Sequence, residues 1–141
     1  MARKRLPQWL VAANTGDWSA LEASFAPDVV IHYHETLLPP LAPGVAGMKQ
    51  ILATLRTAFP DLKVSLVAEA GQGQTRVYTW AARGTHRGPL LRVHATGRRV
   101  VFPGRFMMRH EQGKVVELWV RMGLIAILTQ LGMAPTPTQV S

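Results

Sequence analysis

The sequence predicts an α+β fold: a cone-shaped, curved, mixed or antiparallel sheet packed against three to four helices. Apolar residues recur at helical spacing toward both ends of the chain, whereas those between about residues 62 and 122 alternate every second position. Helices that precede a meander of strands suit α+β and not an alternating α/β order. Such a sheet, with helices across its concave side, would leave a hollow at one end.

Each element follows from local signals. Leu6, Trp9, Leu10 and Ala13 mark a first helix, for which Pro7 is tolerable in the opening turn and Gly16 supplies the stop. A second short helix buries Trp18, Leu21 and Phe25; Asp17 or Ser19 caps it, and Ser19 with Glu22 has capping-box spacing. The β-branched run 29–34 reads as a strand, and 37–47, with three prolines and two glycines, as a covering loop. Met48, Ile51, Leu52, Leu55 and Phe59 form the stripe of a third helix, ended before Pro60. Runs 62–69 and 75–83 alternate as strands around the turn at Gly71-Gln72-Gly73, and a further strand reaches toward Val93. Two long runs follow, 97–110 and 114–122, joined at Glu111-Gln112-Gly113. The last helix opens at Gly123, is built on Leu124, Ile127, Leu128 and Leu131, and closes at Gly132.

The 141 residues, 48% hydrophobic, suit a single domain with a core at about 6–133 and a flexible tail at 134–141. No run is long and apolar enough to cross a membrane as a helix. The basic start, Met1 to Arg5, lacks the apolar segment and cleavage site of a secretory signal, and cysteine is absent, so a cytoplasmic home is expected. The net charge of +8 raises nucleic acid as a partner. Its arginines and lysines are scattered, however, and no nucleic-acid module is recognisable; an anionic small molecule fits better.

The final two strands carry the candidate chemistry. Arg105, Met107, Arg109, Glu117, Trp119 and Arg121 share one face, and Val100, Phe102, Phe106, Met108, Val116, Leu118, Val120 and Met122 share the other. A three-residue loop would set Met107 opposite Glu117, Arg105 opposite Trp119 and Pro103 opposite Arg121. The mixed face is then either ordinary wet surface or the wall of a polar pocket.

Among the eight acidic residues, Asp17 and Glu22 belong to helix capping and Glu111 to a turn. Asp28, Asp61 and Glu69 sit at element ends. Glu35 and Glu117 remain, and Glu117 is the better base because a strand holds it among the pocket candidates. Its alternative role is a salt bridge to Arg105, Arg109 or Arg121. His32 and His34 alternate on one strand face, where imidazoles suit proton transfer near neutral pH. With no evident third ligand, a metal site is not expected. His86, between Gly84 and Gly88, reads as structural and His94 as solvated. Trp119 offers stacking area for a planar ligand, and the arginines offer charge-assisted bonds to a carboxylate or enolate.

Asn14-Thr15-Gly16-Asp17, Phe59-Pro60-Asp61, Gly84-Thr85-His86-Arg87-Gly88, Thr96-Gly97-Arg98, Glu117-Leu118-Trp119 and Gln130-Leu131-Gly132 occur in one order. Together they resemble the SnoaL-like polyketide cyclases of the nuclear-transport-factor-2-like superfamily, over about residues 14–135. The resemblance implies a deep pocket, dimers or higher oligomers, and no metal or cofactor. It also implies a polyketide-like carbonyl substrate, from which a carboxylate removes a proton so that the enolate closes a ring by an aldol step. The family's acid/base aspartate falls on Gly123, two further pocket positions fall on Met107 and Arg109, and His32 matches a histidine common in the family. With that position lacking a carboxylate, the base would be Glu117, His32 or His34. Arg109 and Arg121 would stabilise an oxyanion, and Trp119, Met107 and Arg105 would shape the pocket. The resemblance turns the mixed face toward the cavity and the dry face toward a subunit partner. Alternatives on the same fold are a non-catalytic binding protein and an epoxide hydrolase-like enzyme.

Overall fold

A computed structural model of the chain describes residues 6–33 and 40–132. The basic start, His34, Glu35, residues 37–39 of the covering loop and the tail at 134–141 lie outside the described residues. Among the described residues four helices and five strands are formed: α1 (Gln8–Thr15), α2 (Ser19–Ser24), β1 (Phe25–Tyr33), α3 (Val45–Ala58), β2 (Lys63–Gln72), β3 (Thr75–Thr85), β4 (Arg99–Glu111), β5 (Lys114–Met122) and α4 (Leu124–Gln130). The strands make one curved mixed sheet in the order β1-β5-β4-β3-β2, with β1 parallel to β5 and all other pairs antiparallel.

The dry face of the sheet is the core. Phe102 and Leu118 are 0% exposed, and Tyr78, Trp80, Phe106, Met108, Val120 and Met122 are buried with them. Trp9 of α1 lies edge-on to Tyr78 and Phe106, with ring centroids 5.6 and 4.9 Å away, and Trp80 meets Phe102 and Phe106. The expectation that this face turns toward a subunit partner is therefore corrected. Four helices carry apolar residues that must be covered, and the inner side of β3–β5 is the one extensive apolar face available to them. Packing requires Gly104 at one point, because a Cβ there would overlap the six-membered ring of Trp80.

Polar staples fasten the helices to this sheet. The Asn14 side chain both donates to the Val64 carbonyl (3.0 Å) and accepts from its N–H (2.7 Å), tying α1 to the edge strand β2. Gln130 of α4 does the same to Val101 of β4, at 2.7 and 2.9 Å. Asp61 accepts from the Thr85 N–H and hydroxyl, at 2.7 and 2.8 Å. Capping of α2 falls to Asp17, which accepts from the Ser19 N–H. Glu22 leaves the expected capping box to pair with Lys49. The strand expected toward Val93 is reduced to a single bridge between Leu90 and Val93. In its place residues 86–98 form a loop held by His86, whose backbone bonds Arg98 and Gly97.

His86 is structural, as its neighbouring glycines imply. It is fully buried, and its Nδ1 accepts from the Thr96 N–H (3.1 Å), which places the ring proton on Nε2. That nitrogen has no partner among the described residues, and neither have the buried indole nitrogens of Trp9 and Trp80. An unpaired buried donor costs about 1–3 kcal/mol.

Two predictions follow from the core. Gly104→Ala should destabilise the fold by about 1–3 kcal/mol, the range for overpacking, in urea denaturation; an unchanged midpoint would show that Trp80 is free to move. Burial pushes the His86 imidazole below its ordinary range, opposed by the Gly88 backbone. The unfolded chain thus binds a proton near pH 6.5 that the folded one resists, so stability should fall as pH drops below about 7. One proton accounts for at most about 1.4 kcal/mol per pH unit. His86→Gln should flatten the fall between pH 7.5 and 5.5, and parallel curves for variant and wild type would contradict this.

Candidate functional site

The outer face of β1, β5 and β4 gathers most of the candidate residues. Gln112 and Gly113, both at positive φ (52° and 78°), make a two-residue turn between β4 and β5, so that Glu111 faces Lys114. Primed turns of this kind match the twist of the flanking strands. A register shift between Arg109 and His110 then passes over Val116. The resulting pairs are Arg109 with Glu117, Met107 with Trp119 and Arg105 with Arg121, and across the parallel pair His32 lies beside Trp119. The register expected from a three-residue loop is corrected by two residues. Because two is the strand period, the side chains from Glu117 onward keep their faces and only their partners change. The expectation that Val116 lies on the dry face is corrected, since the bulge buries Val115 in its place.

Glu117 sits at the centre of a charged cluster. Its Oε2 is 2.7 Å from His32 Nε2, and its Oε1 accepts from Arg109 Nε at 3.0 Å. Arg109 also donates through Nη1 to Glu111 Oε1 at 3.1 Å. The His32 ring stacks on Trp119, with centroids 5.1 Å apart and planes at 23°. The bonds from His32 and then Arg109 hold the Glu117 carboxyl below the usual carboxylate range, and its bond to Glu117 holds the Arg109 guanidinium all the more firmly charged. An ionised carboxylate can only accept, so His32 carries a proton on Nε2, and in the neutral ring Nδ1 is then the acceptor. The salt bridge weighed for Glu117 is present.

A cleft of about 580 Å³ opens on the same face beyond Trp119, and Thr79, Pro103, Gly104, Arg105, Arg121 and Gly123 help to line it. Gly123 stands at this cleft. The cleft is open to solvent, as is the cluster beside it, where the His32 and Glu117 side chains are 41% and 23% exposed. Among the described residues the mixed face does not enclose a deep hollow, because the helices occupy the other side; residues 37–39 of the expected covering loop lie outside the described residues.

His32, Glu117, Arg109 and Trp119 are brought together, Met107 lies beside Trp119, and Arg105 and Arg121 pair at the cleft. His34 lies outside the described residues. Sequence reasoning missed Glu111, which was assigned to the turn; its place two residues after Arg109 on one strand was the available signal. It also missed Thr79, which only the β3–β4 pairing sets beside Arg105. Among the described residues no three His, Asp or Glu are grouped to hold a metal ion.

Comparison with known proteins identifies the family of the chain. The SnoaL-like polyketide cyclase family matches residues 4–131. No curated protein gives a significant match. Among solved structures, the proposed hydroxylase AclR from Streptomyces galilaeus is 26% identical with a TM-score of 0.77, covering 91% of this chain and 92% of that one. TsrD from Streptomyces laurentii is 25% identical with a TM-score of 0.78, covering 89% and 90%. The proposed polyketide cyclase IdmH from Streptomyces antibioticus is 28% identical with a TM-score of 0.73, covering 91% and 99%. With nearly its whole length matched and its motifs in the same order, the chain belongs to the SnoaL-like polyketide cyclase family.

Proposed function

We propose that the protein is a cofactor-independent acid/base enzyme acting on a polyketide-like carbonyl substrate, with His32 as the base. The observation that carries this reading is the Glu117 carboxylate bonded at once to His32 and Arg109. Held below its usual range, Glu117 is itself a weak base. As a fixed anion it does something else: it orients the imidazole, keeps Nδ1 free to accept a proton, and stabilises the imidazolium that results. Arg109, shared between two carboxylates, holds Glu117 in place, and its remaining N–H donors could meet a substrate oxyanion. Trp119 and Met107 would support a planar ring beside the base, which could then abstract a proton next to its carbonyl. Aldol-type closure or isomerisation would follow from the enolate. An epoxide hydrolase-like reaction suits the cluster less well, because both carboxylates near His32 are engaged by Arg109.

A second reading, a binding protein using the same face, is favoured by Gly123, where the family's acid would stand. Deuterium exchange next to the carbonyl of an aryl ketone, followed by NMR, separates the two. The enzyme should accelerate exchange, and His32→Asn should lower the rate constant by about 10²–10⁴ with KM little changed, the range for a general base. Glu117→Gln should lower kcat in the same sense and Glu117→Asp should restore part of it, as expected of a positioning residue. Binding without accelerated exchange, or full activity in His32→Asn, would favour the binding protein.

We propose further that the chain forms homodimers. Its dry sheet face is already covered by its own helices, so a partner would meet exposed side chains such as Val30 and Val101, 52% and 62% exposed. Sedimentation equilibrium should give twice the chain mass of 15.5 kDa; a monomer mass at micromolar concentration would contradict this. No helix among the described residues is long and apolar enough to cross a membrane, and we retain a cytoplasmic home as part of this proposal.

A further inference from the structure

We infer that Arg105 and Arg121 form a carboxylate-binding subsite, so that the substrate is an anionic, ring-bearing acid. The two residues are directly opposite each other on β4 and β5. Like charges at such a position destabilise a sheet, and no ion-pair partner relieves them among the described residues. Arg109, by contrast, engages two carboxylates, and Arg76 lies 3.8 Å from Glu69. Arg83 and Arg99 have no ion pair among the described residues either, but they face Val101 and Thr85 and not another arginine. The unrelieved pair stands at a concave part of the outer face, the cleft of about 580 Å³.

The lining of that cleft suits an anion. Gly123 puts no side chain into it, and Thr79 adds a hydroxyl beside Arg105. Two guanidinium groups can present forked donors to one carboxylate, a geometry lysine cannot reproduce. An excess of 16 basic over 8 acidic residues reinforces the local field. Along β5, Arg121 follows Trp119 by two residues, about 7 Å. A planar ring resting on Trp119 could therefore place a carboxylate between the arginines while its other end reaches His32. The role of the anion as a substrate handle rests on the acid/base reading above; the subsite itself does not.

Isothermal titration with 2-naphthoate and its uncharged twin, methyl 2-naphthoate, at low and constant ionic strength tests the subsite. Wild type should bind the acid at least about 10-fold more tightly than the ester. Arg105→Gln and Arg121→Gln should each abolish most of that preference, while melting no lower than wild type without ligand, because a like-charge pair has been removed. Equal affinity for acid and ester would overturn the inference, as would a preference that survives both substitutions. Absence of saturable naphthoate binding up to 10 mM would overturn it as well. Loss of exchange activity in His32→Asn with naphthoate binding intact would leave both readings standing, whereas exchange activity without the acid preference would remove the subsite alone.

Discussion

Everything in this protein depends on which side of β3, β4 and β5 the helices cover. Once Trp9 and the other helix residues are packed against Phe102, Phe106, Leu118 and Val120, the opposite face is left open. Burial of apolar area is the dominant favourable contribution to folding, and the sheet has no second apolar surface of comparable extent. The charged and aromatic side chains of the other face are thereby presented to solvent and ligand, without being placed inside the core. Their proposed chemistry must work in a cleft where water competes, which gives fixed partners such as Arg109 and Glu117 their value.

The ordered motifs that identify the family divide by role. Asn14, Asp61, Thr85, His86, Thr96 and Gln130 all hold backbone together, by side-chain bonds that join helix to strand or close a loop. Each satisfies buried or edge backbone groups that would otherwise lack partners. Within these motifs only Glu117 and Trp119 reach the candidate site. The fold can therefore be shared widely while the site varies. What the scaffold supplies is a rigid three-strand platform on which neighbouring side chains are set by register.

Register is also where the site acquires its character. A shift of two residues in the β4–β5 pairing takes Glu117 from Met107 to Arg109 and Arg121 from Pro103 to Arg105. The first change makes an ion pair that anchors His32, and the second leaves two cations facing each other. Neither depends on a change of residue. Both follow from two positive-φ residues in a turn and one bulge, local backbone features that determine the partners of side chains many ångströms away.

The residues by themselves determined the elements and the faces. Period-two alternation in 114–122 separates Glu117, Trp119 and Arg121 from Leu118 and Val120 whatever the register, and Gly16, Pro60 and Gly132 mark helix ends through their own backbone preferences. The same residues also put forward Glu117 and His32 as candidates, which the structure brings together. They did not determine that the dry face would meet the chain's own helices and not another subunit, nor that 86–98 would be a loop. Tertiary structure decided those points, because alternation says only that one face is buried, never by what. It decided the pairings as well: His32 and Glu117 are 85 positions apart, and only the parallel docking of β1 on β5 brings a carboxylate to that imidazole.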